Sequence, residues 1–111
     1  MKHATCAMLA LAALLLAPGE AIAADTSGAR IVFEGAASGA PPCAACHGDH
    51  LQGTPALKSP AIAGLDARYI LMRLEHYAGP DGHNPQMKQV ATTLTAQEKR
   101  TVADYLAGLR R

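Results

Sequence analysis

The sequence of 111 residues has few of the side chains that usually build a large core. It contains no Trp, one Phe and three Tyr, so aromatic residues make up only 4% of the chain. A domain of this size buries only about 60–65% of the surface that its unfolded chain exposes. Small chains with weak cores are usually stabilised by disulfides, a metal or another bound group. We therefore expect at most one domain, stabilised by more than its own side chains.

An excess of charge of either sign is also missing. The sequence contains ten Lys and Arg residues and nine Asp and Glu residues, which gives a formal net charge of +1. A nucleic-acid-binding protein needs a strongly basic face. The composition therefore predicts no nucleic-acid partner.

Long hydrophobic runs are absent except near the N-terminus. The apolar run Cys6–Ala17 follows Lys2 and precedes the small-residue site Ala21–Ala23. This order is typical of a secretory signal peptide, and the run is shorter than the roughly 20 apolar residues that a membrane span needs. The sequence therefore predicts a signal peptide over residues 1–23, a mature chain over residues 24–111 without a membrane span, and a periplasmic location.

Cysteine is scarce once the signal peptide is removed, because Cys6 leaves with it and only Cys43 and Cys46 remain. These two belong to the run Cys-Ala-Ala-Cys-His that ends at His47. In such a run, two thiols add to the two vinyl groups of haem, and the following His binds the iron. Two intervening residues let one helical turn present both sulfurs. The motif therefore predicts one covalently bound haem c.

Two other kinds of site use the same residue types. A thioredoxin-like redox pair follows an apolar strand. The residues before Cys43 are small and include Pro41 and Pro42, which does not fit such a strand. A zinc site needs two further ligands at suitable spacing, and His47 and His50 are too close to the thiols in sequence for the usual pattern. We keep both as alternatives that the motif does not favour.

Outside the haem motif, the residue pattern of the mature chain predicts helices joined by long loops, with no convincing strand. We expect a short first helix over 27–34 and a second from the N-cap Asp66 to about residue 77. The run Thr95-Ala96-Gln97-Glu98 has the form of a capping box and predicts the start of a last helix that ends near Arg110. The fold class is therefore all-α.

Met87 is the candidate for the second axial ligand of the iron. It follows the polar segment 81–86, and we expect Met87 to lie in a flexible loop that folds back over the haem. His83 and His76 are alternative ligands, although both are better explained as surface residues. Met72 lies in the middle of the second predicted helix, and we expect it to fill the core.

Taken together, these residues resemble a class I cytochrome c, especially the small bacterial ones and the halves of their dihaem relatives. The resemblance covers residues 26–109. It rests on the following matches: Gly28, Cys43 to Gly48, Pro60 to Gly64, Tyr69, Leu74, Met87, Leu94, Thr95, Tyr105 and Leu106.

The resemblance implies a fold of short helices and loops around one haem. It also implies that the carbonyl of Pro60 accepts a hydrogen bond from Nδ1 of His47, and that Gly28 lets the first helix cross the last one near Tyr105. One departure is Val32 where the family usually has an aromatic residue, with Phe33 beside it. Helix packing at this crossing is therefore expected to differ.

The function that the resemblance implies is one-electron transfer between redox proteins, without an enzymatic activity of its own. Suitable partners are a dehydrogenase, an oxidase or a membrane cytochrome complex. An alternative is that the chain is the electron-transfer subunit of one specific dehydrogenase or oxidase complex. A haem sensor or peroxidase, which needs an open iron position, is disfavoured by the Met at position 87.

Overall fold

The chain forms short helices in the computed structural model, which describes residues 20–110, with side chains from residue 27 onward. The helices are α1 (Glu20–Glu34), α2 (Ala44–His47), α3 (Ala67–Ala78), α4 (Pro85–Thr93) and α5 (Ala96–Ala107), with a 3-10 helix at Pro55–Leu57. In this part of the chain, the only β-type pairing is an isolated bridge between Thr54 and Ser59. The all-α fold class is confirmed.

Helix α1 begins earlier than predicted, at Glu20 rather than at residue 27, and so crosses the predicted cleavage point after Ala23. The Ala-rich segment there has a high intrinsic helix propensity. Residues 1–19 of the predicted signal peptide lie outside the described residues. The signal peptide and the domain boundary therefore stay predictions.

Helices α1 and α5 cross closely at Gly28. A Cβ at this position would lie 2.5 Å from Cβ of Tyr105 and 3.3 Å from the carbonyl oxygen of Thr101. Only glycine allows this approach, which confirms the implied crossing. The aromatic partner of Tyr105 is Phe33, whose ring lies edge-on with centroids 6.4 Å apart, whereas Val32 is fully buried. The departure at position 32 therefore moves the aromatic contact by one residue.

Helix α3 begins at the predicted cap. The Asp66 side chain accepts hydrogen bonds from the backbone N–H groups of Arg68 and Tyr69, which satisfies two of the free donors at the helix start. The helix buries Ile70 and Leu74, one turn apart, on a single face. This face packs in the core beside α4 and α5.

Helix α5 has the predicted capping box, formed by Thr95 and Glu98. It buries Val102 and Leu106. The helix ends at Ala107, with Gly108 as its C-cap, which is earlier than the predicted end near Arg110. Lys99 of α5 is also buried, and its ammonium lies 3.1 Å from the carboxylate of Glu75 on α3. This ion pair joins the two helices at the edge of the core.

The core is a single cluster of small and aliphatic side chains drawn from all the longer helices and from two loops. Its members are Ile31, Val32, Ala40, Leu51, Ile70, Leu74, Ala91, Leu94, Val102, Ala103 and Leu106. Cys43 and Met87 are partly buried against this cluster. Cys43, which precedes α2, and Met87, which lies in α4, therefore contact the same core.

Candidate haem site

The motif residues lie on one helical turn. Cys43 precedes α2 with helical backbone angles, and the N–H of His47 donates to the Cys43 carbonyl at 3.0 Å. Both cysteines are free thiols; Cys43 is half-buried and Cys46 is exposed. His47 is buried, with 8% of its surface exposed. The turn thus presents two thiols and one imidazole within five consecutive positions.

Burial raises the pKa of the Cys43 thiol to about 11, and a hydrogen bond with its own backbone opposes this only in part. A charged thiolate in these apolar surroundings would lose its hydration, so the neutral form is favoured. At neutral pH, Cys43 therefore places an uncharged sulfur against the core.

The ring of His47 is held by the carbonyl of Pro60. Nδ1 of the imidazole lies 2.8 Å from that oxygen, the contact that the family resemblance implied. A carbonyl can only accept, so Nδ1 carries the proton and donates. In a neutral imidazole, Nε2 is then left with its lone pair free, which is the form that binds a metal.

The loop after the motif brings Pro60 back to His47. Leu51 is fully buried and takes a left-handed conformation with φ 57°. The N–H of Gly53 donates to the carbonyl of His47 at 2.8 Å, and the N–H of Ile62 donates to the carbonyl of Leu51 at 3.0 Å. These bonds fold the loop onto the helical turn, so the carbonyl of Pro60 faces the ring.

Met87 lies in the first turn of α4, and not in a flexible loop as predicted. Asn84 is the N-cap of this helix, Pro85 occupies its first turn, and the side chain of Asn84 accepts a hydrogen bond from the N–H of Met87 at 3.0 Å. Asn followed by Pro is a recognised helix-start signal. That signal was present in the sequence, but the surrounding Gly and Pro residues favoured a loop.

The other candidate side chains lie at the surface. His76 and His83 are both exposed, as expected for residues that are not ligands. Met72 is 56% exposed, so the prediction that it fills the core is wrong. It lies on the side of α3 away from Ile70 and Leu74, the residues that face the core.

The donor set fits haem c. It consists of two unpaired thiols on one turn, a buried imidazole with one nitrogen already hydrogen-bonded, and a thioether held against the same core. Cys, His and Met are the residue types that attach and ligate haem in c-type cytochromes.

Within residues 20–110, no helix has the length and hydrophobicity to span a bilayer.

Comparison with known proteins places this geometry in a family. A family model described as cytochrome c matches residues 32–110. The chain belongs to the cytochrome c family. Its cofactor is therefore covalently bound haem c, and Cys43 and Cys46 have the spacing that attachment requires. Assignment of the individual attachment and ligand residues stays a prediction.

Three similar proteins are longer than this chain. The thiosulfate dehydrogenase electron acceptor of Stutzerimonas stutzeri is 36% identical over 98% of the chain, which covers 50% of that protein. Acidithiobacillus ferrooxidans cytochrome c4 has a TM-score of 0.70 and 31% identity over 78% of this chain and 50% of the other. A thiosulfate dehydrogenase (TsdBA) structure from Marichromatium purpuratum has a TM-score of 0.73 and 28% identity over 78% of this chain and 19% of the other. The chain thus spans about half the length of the curated relative.

Proposed function

We propose that the protein is a periplasmic one-electron carrier whose haem c is attached through Cys43 and Cys46 and ligated by His47 and Met87. The observation that carries this proposal is the bond from Nδ1 of His47 to the carbonyl of Pro60. It fixes the tautomer and the orientation of a buried imidazole directly after two free thiols. A surface or core histidine does not need such an arrangement.

The haem iron, when bound, supplies the one-electron redox chemistry, and the side chains of the protein set its properties. The hydrogen bond to Pro60 makes the imidazole of His47 a more basic ligand, which donates more electron density to the iron. A thioether from Met87 favours the reduced iron and raises the potential. Because His47 and Met87 would then both hold the iron, the site would accept electrons without binding a substrate. The chain therefore has no catalytic activity of its own under this proposal.

The proposed electron donor is a thiosulfate-oxidising dehydrogenase in the same compartment. The basis is the curated relative, which is named as the electron acceptor of thiosulfate dehydrogenase and matches nearly the whole chain. That relative is about twice as long as this chain, so the substrate of the partner dehydrogenase is tested directly.

The test is stopped-flow reduction of the oxidised haem-loaded chain by a thiosulfate dehydrogenase in the presence of thiosulfate. We expect the visible spectrum of the reduced protein to form at a rate that depends on the dehydrogenase concentration. The control omits thiosulfate and should leave the protein oxidised. If a chemical reductant reduces the protein but the dehydrogenase with thiosulfate does not, then the protein is still an electron carrier and the proposed partner is wrong.

A second candidate function is that of a fixed subunit in a dehydrogenase complex. The match to part of a thiosulfate dehydrogenase structure favours it, because there a similar fold makes up 19% of a larger chain. Size-exclusion chromatography of native extract separates the two functions. A free carrier elutes at the size of one small domain, whereas a subunit elutes with its dehydrogenase.

A further inference from the structure

Asn84 lies three residues before the proposed iron ligand, and its side chain is bonded to that residue. Its Oδ1 accepts the backbone N–H of Met87 at 3.0 Å. The backbone carbonyl of Asn84 accepts the N–H of Lys88 at 2.8 Å, which is the first hydrogen bond of α4. The residue thus ends the preceding segment and begins the helix that carries Met87.

The segment before Asn84 is itself fixed to the end of α3. The N–H of Gly82 donates to the carbonyl of Gly79 at 3.2 Å. A Cβ at residue 82 would overlap the carbonyl oxygen of Tyr77, so the backbone there packs directly on the last turn of α3. Asn84 is therefore joined on one side to a packed segment and on the other to Met87.

A further contact ties the start of α4 to the same place. The ammonium of Lys88 donates to the carbonyl of Gly79 at 2.9 Å. Lys88 directly follows Met87, so this bond limits the movement of the helix start relative to α3. Deeper in α4, Ala91 is fully buried in the core. The cap at Asn84 is thus the contact that acts on the backbone of Met87 itself.

We infer that Asn84 is a positioning residue for the axial ligand: its cap holds the first turn of α4 so that the Met87 thioether stays on the iron. The inference rests on the proposed function, because it requires Met87 to be a ligand. Without the cap, the first turn frays, the N–H of Met87 loses its partner, and states in which Met87 is off the iron become more populated. Such states bind added ligands.

The expected size follows from the energy of a cap. Replacing an Asn N-cap by Ala costs about 1 kcal/mol, which is about fivefold in an equilibrium constant. When the open state is a minor population, the apparent Kd of an added ligand falls in proportion as that population rises. We therefore expect imidazole to bind the ferric haem-loaded N84A variant about fivefold more tightly than the unmodified protein.

The experiment is an imidazole titration of the ferric, haem-loaded protein, followed by its visible spectrum. N84S replaces the amide oxygen by a hydroxyl oxygen, which caps helices about as well as Asn, so this variant should restore the unmodified Kd. T95A is the matched control, because Thr95 makes the same kind of bond to the third residue of α5 at 3.1 Å. T95A should lower the unfolding temperature much as N84A does but leave the imidazole Kd unchanged.

Three results overturn the inference. The first is that N84A and T95A bind imidazole equally well. The second is that N84S fails to restore the affinity. The third is that M87A keeps the ferric charge-transfer band of a sulfur ligand at the red end of the visible spectrum, in which case the proposed ligand fails as well. If M87A loses the band while N84A behaves like T95A, then Met87 remains the ligand and only the role of Asn84 is wrong.

Discussion

Nδ1 of His47 and the carbonyl oxygen of Pro60 lie 2.8 Å apart, although the two residues are separated by 13 positions in the chain. Because the acceptor is a backbone atom, no replacement of the Pro60 side chain removes it. The contact depends instead on the path of the loop, and that path depends on Gly53. There, with φ 93°, a Cβ would lie 2.9 Å from the backbone atoms Ser59 O and Ala61 N.

Replacing Gly53 by Ala should therefore displace the carbonyl of Pro60. G39A is the matched control, because Gly39 also has a positive φ, of 101°, but nothing lies within 4 Å of the added Cβ. G39A should cost about 1–2 kcal/mol in backbone strain. G53A should cost about 1–3 kcal/mol more because of the overlap.

Only G53A should also raise the reduction potential. His47 then loses the hydrogen bond to Pro60 that makes its imidazole a stronger electron-donating ligand of the iron. Chemical denaturation and redox titration of the haem-loaded proteins measure the two effects. Equal stabilities and equal potentials for the two variants would show that the loop does not control the His47 contact.

The two thiols should hold the haem covalently. After acid-acetone extraction, haem should remain with the unmodified chain and leave the C43A/C46A double variant, because thioether bonds survive this treatment. Each single variant should keep the haem through its remaining thioether. Mass spectrometry of the exported protein should give residues 24–111 plus one haem. Loss of haem from the unmodified chain would refute covalent attachment.

The two methionines that follow the motif should behave differently. M87A should lose the weak charge-transfer band of the ferric protein, lower the potential and allow carbon monoxide to bind the reduced iron, because the thioether is removed. M72A is the control, since Met72 is 56% exposed, and it should change stability by no more than about 0.5 kcal/mol. If M72A loses the band and M87A keeps it, the ligand has been assigned to the wrong methionine.

Glu98 should make stability depend on acid pH. The hydroxyl and the N–H of Ser38 both donate to its carboxylate, in addition to the N–H of Thr95 from the capping box. The hydrogen bond from the Ser38 side chain is the largest cause of the lowered pKa of Glu98, followed by that from the Thr95 backbone. Since the pKa is lower in the folded state, the stabilisation is present above the unfolded pKa and is lost as the pH falls through the folded value.

E98Q keeps an acceptor oxygen for the cap but removes the charge. We expect it to be less stable than the unmodified protein at neutral pH, and the difference to shrink as the pH is lowered from about 7 to about 3. S38A should show a weaker pH dependence than the unmodified protein but keep its capping box. Thermal unfolding across this pH range measures both. A difference between E98Q and the unmodified protein that stays constant with pH would exclude this role of the carboxylate.

Local signals in the sequence were enough for several parts of the fold. The haem motif at Cys43–His47, the cap at Asp66 and the capping box at Thr95 each depend on residues within four positions of one another. Interactions of this range are formed by the helix turn itself and need no information from the rest of the chain. The resemblance to a family added Pro60, whose contact with His47 no local pattern contains.

The start of α4 shows where local signals conflicted. The Asn84-Pro85 pair is a helix-start signal, whereas Gly79, Pro80 and Gly82 before it are typical of loops. In the structure, both are true: a packed loop runs directly into a helix that carries Met87. Sequence spacing made Met87 the candidate ligand, which stays a prediction, but assigned this residue the wrong local structure.

The sequence by itself therefore determined the cofactor motif, the all-α class and the starts of α3 and α5. Only the tertiary structure decided that Met72 lies at the surface, that Ser38 binds Glu98 across 60 positions, and by which hydrogen bonds the loop after the motif is folded so that Pro60 reaches His47. The physical reason is that a contact between distant residues forms only when the whole core sets the path of the chain between them. Closing such a loop costs conformational entropy that local patterns do not offset.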